Sequence, residues 1–179
     1  ASSFTVGNSL ENRAIKGVKI TGPESAEFPK ASRPQILFNG CQHAREWISP
    51  MVNMYLGDQF LMQYASGGIA KDLLDRVEIV IVPVVNPDVY EYTWSTNRLW
   101  RKNRRNNGGS YGVDLNRNWG YQWGGEGAST IPSDETYRGP AAFSEPETQV
   151  MRNMVLANTR LRAAIDFHSY SQLILSPWS

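Results

Sequence analysis

Cysteine and histidine are scarce in this chain of 179 residues, which has one Cys and two His. A single thiol excludes an internal disulfide framework and any zinc site built from several cysteines. An excess of charge is missing too. With 18 Lys and Arg against 17 Asp and Glu, no global field draws the chain to nucleic acid or to a membrane. No apolar run approaches the ~20 residues that a bilayer-spanning helix needs. There is no internal repeat and no composition break that would mark a linker. The chain opens at Ala1 with neither an initiator Met nor a signal-like stretch, so its start is expected to come from processing or from the choice of expressed segment. What remains is globular composition, 20% charged and 11% aromatic. The length fits one domain or the larger part of one, able to bury roughly 70% of its unfolded surface.

The segment from Ser3 to Gly22 reads as a β-hairpin turning around Asn8 to Arg13, and Pro34 to Phe38 as a buried strand closed by Asn39-Gly40. A helix is expected from Pro50 to about Tyr64, with Ser49 as its N-cap and Gly67-Gly68 past its end. Val77 to Val85 is the strongest strand, apolar on both faces, which calls for a central position with helices above and below. Residues 106–140 hold eight of the fifteen glycines and read as a long loop region. Ser144 and Glu147 form a capping box with Pro146 in the first turn of a helix running to about Thr159. Leu161 to Phe167 reads as another buried strand, and Leu173 to Leu175 as one more. The fold class expected is α/β: a mixed, largely parallel twisted sheet with helices on both faces.

Both histidines fall where a strand ends, and carboxyl ends of strands are where open α/β sheets bind ligands. His43 and Glu46 are three residues apart, so one turn can aim imidazole and carboxylate at a common point. His168 would complete two imidazoles and a carboxylate, leaving a fourth position for water as catalytic zinc requires. Spacing alone leaves open that each is an ordinary hydrogen-bonded side chain. The second constellation is basic, with five cations between Asn97 and Arg105 and Asn116-Arg117-Asn118 soon after. It reads as a solvated loop, as a phosphate-binding patch, or as a site that pairs Arg with a carboxylate. Near-zero net charge argues against the nucleic-acid version.

Five motifs resemble, in order and rough spacing, the carboxypeptidase A/B family of zinc metallocarboxypeptidases. They are His43-Ala44-Arg45-Glu46-Trp47, Asn97-Arg98-Leu99-Trp100-Arg101-Lys102, Asp114-Leu115-Asn116-Arg117-Asn118-Trp119, Glu135-Thr136-Tyr137 and His168-Ser169-Tyr170-Ser171-Gln172. The resemblance runs from about Phe4 to Ser179. It implies a zinc-dependent exopeptidase that removes single residues from the C-termini of peptides and proteins. It implies one Zn2+ held by His43, Glu46 and His168, with Asp114 accepting a hydrogen bond from the first histidine. Arg101 would stabilise the developing oxyanion, and Asn116 with Arg117 would grip the terminal carboxylate. Arg45 and Arg98 would line the approach, and Ser169 and Tyr170, joined by a cis peptide, would contact substrate.

The resemblance also sets expectations about what is absent. The family's catalytic domain is much longer, so residues 1–179 are expected to be its N-terminal portion, truncated on the C-terminal side. The general-base glutamate, a mobile tyrosine and the specificity residue fall outside this sequence. The polypeptide alone is therefore expected to be inactive, its missing segment being one partner. Others are peptide C-termini and a pro-segment or protein inhibitor; nucleic acid and membrane are not expected. Secretion is implied by the family alone. The rival is a zinc-containing relative that binds peptide C-termini without cutting them.

Overall fold

The run that reads as the strongest strand forms the centre of the sheet. In the computed structural model, which describes residues 1–176, Glu78–Val82 is buried at every position. Five strands make up the sheet: β1 (Ser2–Asn8), β2 (Ala14–Ile20), β3 (Gln35–Gly40), β4 (Glu78–Val82) and β5 (Leu161–Phe167). Their spatial order is β1-β2-β4-β3-β5. β1, β2 and β4 pair antiparallel, whereas β4, β3 and β5 pair parallel. Four helices join them: α1 (Ile48–Ser66), α2 (Ile69–Arg76), α3 (Pro87–Ser95) and α4 (Pro146–Ala157). No helix among the described residues is long and apolar enough to cross a membrane.

The pleat divides the core in two. Val80 and Val82 point to one face, where Leu37, Ile15 and Met151 of α4 meet them. Ile79 and Ile81 point to the other, against Phe38, Leu74 of α2 and Phe60 and Tyr64 of α1. This alternation follows from the two-residue period of a strand, and each buried aliphatic contributes about 1.5–3 kcal/mol. Helices therefore cover both faces, as two-sided apolarity requires.

Several local expectations need correction. Ser49 does not cap α1, because Trp47 holds the N-cap position without a side-chain bond. Ser49 instead sits in the first turn, where its Oγ accepts from the Cys41 amide (2.9 Å) and donates to the Glu46 carbonyl (3.0 Å). Ser144 and Glu147 form no capping box: Glu145 is the N-cap residue, and Glu147 turns inward to the amide of Leu10 at 2.9 Å. The strand at Val77–Val85 stops at Val82, before Pro83, whose missing N–H cannot join the ladder. β5 forms as expected but lies at the sheet edge and is largely exposed, Ile165 being 48% accessible. Leu173 to Leu175 are not a strand; all three are exposed.

Candidate metal centre

β3 and β5 run parallel side by side, Gly40 opposite Phe167, so the segments leaving their carboxyl ends emerge together. That topology unites histidines 125 residues apart in sequence. After β3 the chain makes a tight turn in which the Glu46 amide donates to the His43 carbonyl (3.1 Å) and the Ser49 amide to the Glu46 carbonyl (3.0 Å). One helical turn thus puts His43 and Glu46 on the same side.

His43 Nδ1 lies 2.8 Å from Glu46 Oε1, and His168 Nδ1 lies 3.1 Å from both His43 Nδ1 and Glu46 Oε2. The outer nitrogens are occupied. His43 Nε2 meets Asp114 Oδ1 at 2.9 Å and His168 Nε2 meets Asp166 Oδ2 at 2.8 Å. A carboxylate can only accept, so both Nε2 atoms carry the proton. Held this way, both rings turn Nδ1 toward each other and toward the Glu46 carboxylate, the orientation in which two neutral rings would present lone pairs to a metal. Three acceptors converging on one point call for a cation. Tetrahedral zinc at ~2.0–2.1 Å from its ligands would separate them by about 3.3 Å, close to the spacings here. His43, Glu46 and His168 also form the His/Cys/Asp/Glu group among the described residues whose ligand atoms all fall within 4.8 Å. The residues fit the metal.

Without a metal, protons take its place. Burial raises the Glu46 carboxyl, but hydrogen bonds from His168 and then His43 outweigh it and hold the group at about 2. Burial lowers the His168 imidazole, and its bonds to Asp166 and Glu46 prevail, raising it to about 10. Asp114 is held below the usual carboxylate range: burial pushes it up, while His43 and Arg101 pull it further down.

Asp114 is the hub around the first histidine. Wholly buried, it takes His43 and the Asn116 amide (3.0 Å) on Oδ1 and Arg101 Nη2 (2.8 Å) on Oδ2. Arg101 is thereby fixed beside the centre, its Nη1 4.0 Å from Glu46 Oε1. The Ser169 amide donates to Glu46 Oε2 (3.0 Å), so Ser169 reaches the ligand itself, and the Ser169–Tyr170 bond is cis. Tyr170 is 94% exposed.

The remaining site residues are spread around this group. Arg117 turns to the carbonyls of Gly127 and Asn116 and, with Asn116, Trp119, Tyr121 and Trp123, lines a cavity of about 290 Å3. That cavity does not include the histidines. Arg45 pairs with Glu135 (3.1 Å), and Arg98 stacks on Trp47 at 3.7 Å while donating to the Arg45 carbonyl. The five cations between Asn97 and Arg105 are not one solvated patch. Lys102 is buried on the Pro132 carbonyl, Arg104 lies over Tyr92, Trp100 and Tyr111, and Arg105 pairs with buried Glu145. Dispersal to separate partners removes the contiguous surface that phosphate binding needs. Asp166 and Glu135 escaped the sequence reading as site residues; the i, i+2 spacing of Asp166 and His168 was a signal for the first.

Comparison with known proteins bears directly on this geometry. The family model described as zinc carboxypeptidase matches residues 1–179. The chain belongs to the zinc carboxypeptidase family. It is 43% identical to a metallocarboxypeptidase A-like protein of Trichophyton verrucosum, an alignment covering 97% of this chain and 40% of that protein. It is 37% identical to carboxypeptidase A5 of Macaca fascicularis, with coverage of 99% and 40%. The crystal structure of thrombin-activatable fibrinolysis inhibitor superposes with a TM-score of 0.87 at 34% identity, covering 96% of this chain and 42% of that one. The bovine form in complex with tick carboxypeptidase inhibitor gives 0.82 at 33% identity, covering 96% and 54%. The fold is therefore that of a carboxypeptidase. This zinc carboxypeptidase chain spans about 40% of the length of the curated relatives it matches.

Proposed function

We propose that the chain carries the metal centre and the terminal-carboxylate grip of a zinc-dependent exopeptidase that removes single residues from peptide and protein C-termini. The observation that carries this reading is the inward convergence of His43 Nδ1, Glu46 and His168 Nδ1, each ring locked from outside by a carboxylate. Zinc held by His43, Glu46 and His168 would supply Lewis-acid polarisation of a scissile carbonyl and a bound water of pKa about 7.

The chain's own residues supply position and charge. Arg101, anchored on Asp114, directs guanidinium N–H groups toward the oxygen that becomes negative as the peptide bond breaks. Such a preorganised donor is typically worth ~3–4 kcal/mol of barrier. Asn116 and Arg117 grip the substrate's terminal carboxylate, which selects the last residue of the peptide over an internal bond. Arg45 and Arg98 line the approach, and Ser169 and Tyr170, the latter exposed, contact the incoming substrate. Each carboxylate reaching the histidines is already committed: Glu46 to the metal, Asp114 to His43 and Arg101, Asp166 to His168. None is left to act as general base, so we propose that these 179 residues alone do not hydrolyse peptides. The natural protein works outside the cytoplasm on this reading, and its presence in the culture medium of the source cells checks that.

Calorimetry with a peptide bearing a free C-terminus and with its amide, run alongside an assay for released amino acid, tests the proposal. Binding that needs zinc, Arg117 and the free carboxylate, without release by residues 1–179, is expected. Equal binding of the amide would sink the grip, and release by these residues alone would refute their inactivity. Carboxylate-dependent binding that never becomes hydrolysis in the longer protein would favour the non-cutting relative.

A further inference from the structure

The two histidines are held from outside by carboxylates of unequal character. Asp114 is wholly buried and shares its charge with the Arg101 guanidinium at 2.8 Å. Asp166 has a different escort. Its Oδ1 accepts from Asn39 Nδ2 at 2.6 Å, its Oδ2 accepts from Gln42 Nε2 and from His168 Nε2 (2.8 Å), and its only ion-pair partner among the described residues is His168. Neutral amides orient a carboxylate without cancelling its charge, so Asp166 is aimed at the imidazole by its neighbours.

The backbone makes this arrangement. Asn39 and Asp166 are opposite one another in the parallel β3–β5 ladder, which lets the amide reach across to the acid. Asp166 and His168 are two residues apart, the spacing that returns a side chain to the same face of an extended chain. Gln42 arrives from the turn that also carries His43, and its Oε1 is itself fixed by Trp119 Nε1 at 2.9 Å. A line of hydrogen bonds thus runs from Trp119 through Gln42 and Asp166 to His168.

We propose that Asp166 is a positioning residue for the metal: held by Asn39 and Gln42, it locks His168 with Nε2 protonated and Nδ1 free to ligate. His168 has particular need of such a lock. Its side chain is 28% exposed, whereas that of His43 is 3% exposed and packed in place, so His168 depends more on a hydrogen-bonded partner to keep its ring aimed. The inference rests on the zinc reading above and adds to it a residue outside the three ligands.

The test is metal binding by the protein, measured by competition with a chromophoric chelator, together with the visible absorption spectrum after cobalt substitution. Asp166→Ala is expected to weaken zinc ~10- to 100-fold, as loss of an outer carboxylate partner typically does. Asp166→Asn, which keeps an acceptor but not the charge, is expected to fall between Ala and the parent. Both should shift the cobalt bands, which report ligand geometry and would not respond to a loss of general stability. Gln42→Leu should move zinc affinity the same way by a smaller factor. Parent-like zinc affinity and cobalt bands in a folded Asp166→Ala protein would overturn the inference while leaving the zinc site standing. A parent protein whose zinc binding does not depend on His43, Glu46 and His168 would instead overturn the zinc reading, and this inference with it.

Discussion

Glu145 and Glu147 are wholly buried two residues apart, yet their surroundings differ. Glu145 has Arg105 at 2.7 Å, while Glu147 has no ion-pair partner among the described residues and accepts from the Leu10 amide and Asn103 Nδ2. Burial therefore dominates at Glu147 and raises its carboxyl above 4.5. A group raised in the folded state favours folding below its unfolded pKa and withdraws that contribution as pH rises through the folded value. Glu147→Gln should then gain stability relative to the parent as pH goes from 4 to 7, read as the difference in urea midpoints. A constant difference across that range would show that burial does not govern this group. At the residue scale, the meeting of His43, Glu46 and His168 at one point was legible because both histidines sit at strand ends and Glu46 one turn from His43. The amides that hold Asp166 were not, since they lie 124 and 127 residues earlier in sequence. Composition shows the five cations of Asn97–Arg105 but not the aromatic rings and buried acids that absorb them one by one.

Strands were easier to read than helices here, for reasons of chemistry. β4 is apolar on both faces and β-branched, which admits few other fates. α3 went unread because Asn86-Pro87-Asp88 looks like a turn and its body, VYEYTWS, is rich in β-branched and aromatic residues; Pro87 serves as its first helical residue. α2 is only eight residues long and begins directly after Gly67-Gly68, a pair that signals an ending more strongly than a start. The misread caps share a cause: Ser49 and Glu147 are drawn to Cys41 and Leu10, contacts with no trace in local spacing. Packing between elements can be tested at Gly7, where α4 lies against β1. A Cβ there would come within 2.5 Å of Val150 Cγ1. Gly7→Ala should destabilise the protein by about 1–3 kcal/mol, seen as a lower urea midpoint at unchanged slope.

For the molecule as a whole, zinc held by His43, Glu46 and His168 would join two distant parts of the chain. Zinc at 100 times its dissociation constant should add about 2.7 kcal/mol to the folded state. For a chain of this size that is a rise of roughly 5–10 °C in melting temperature, removed by a chelator and restored by zinc. No change on chelation would mean that the folded state does not bind the metal selectively. β5 gives this linkage a kinetic side. Among the described residues it is the outer strand beside β3, and it leads into His168. Outer strands fray before central ones, so in residues 1–179 opening of this strand would be a route for zinc to escape. Amide hydrogens of Ala163 to Phe167 should then exchange with solvent more slowly once zinc is bound, while those of β4 keep their protection in either state. Zinc held there would act as a clasp between this strand and the turn that follows β3.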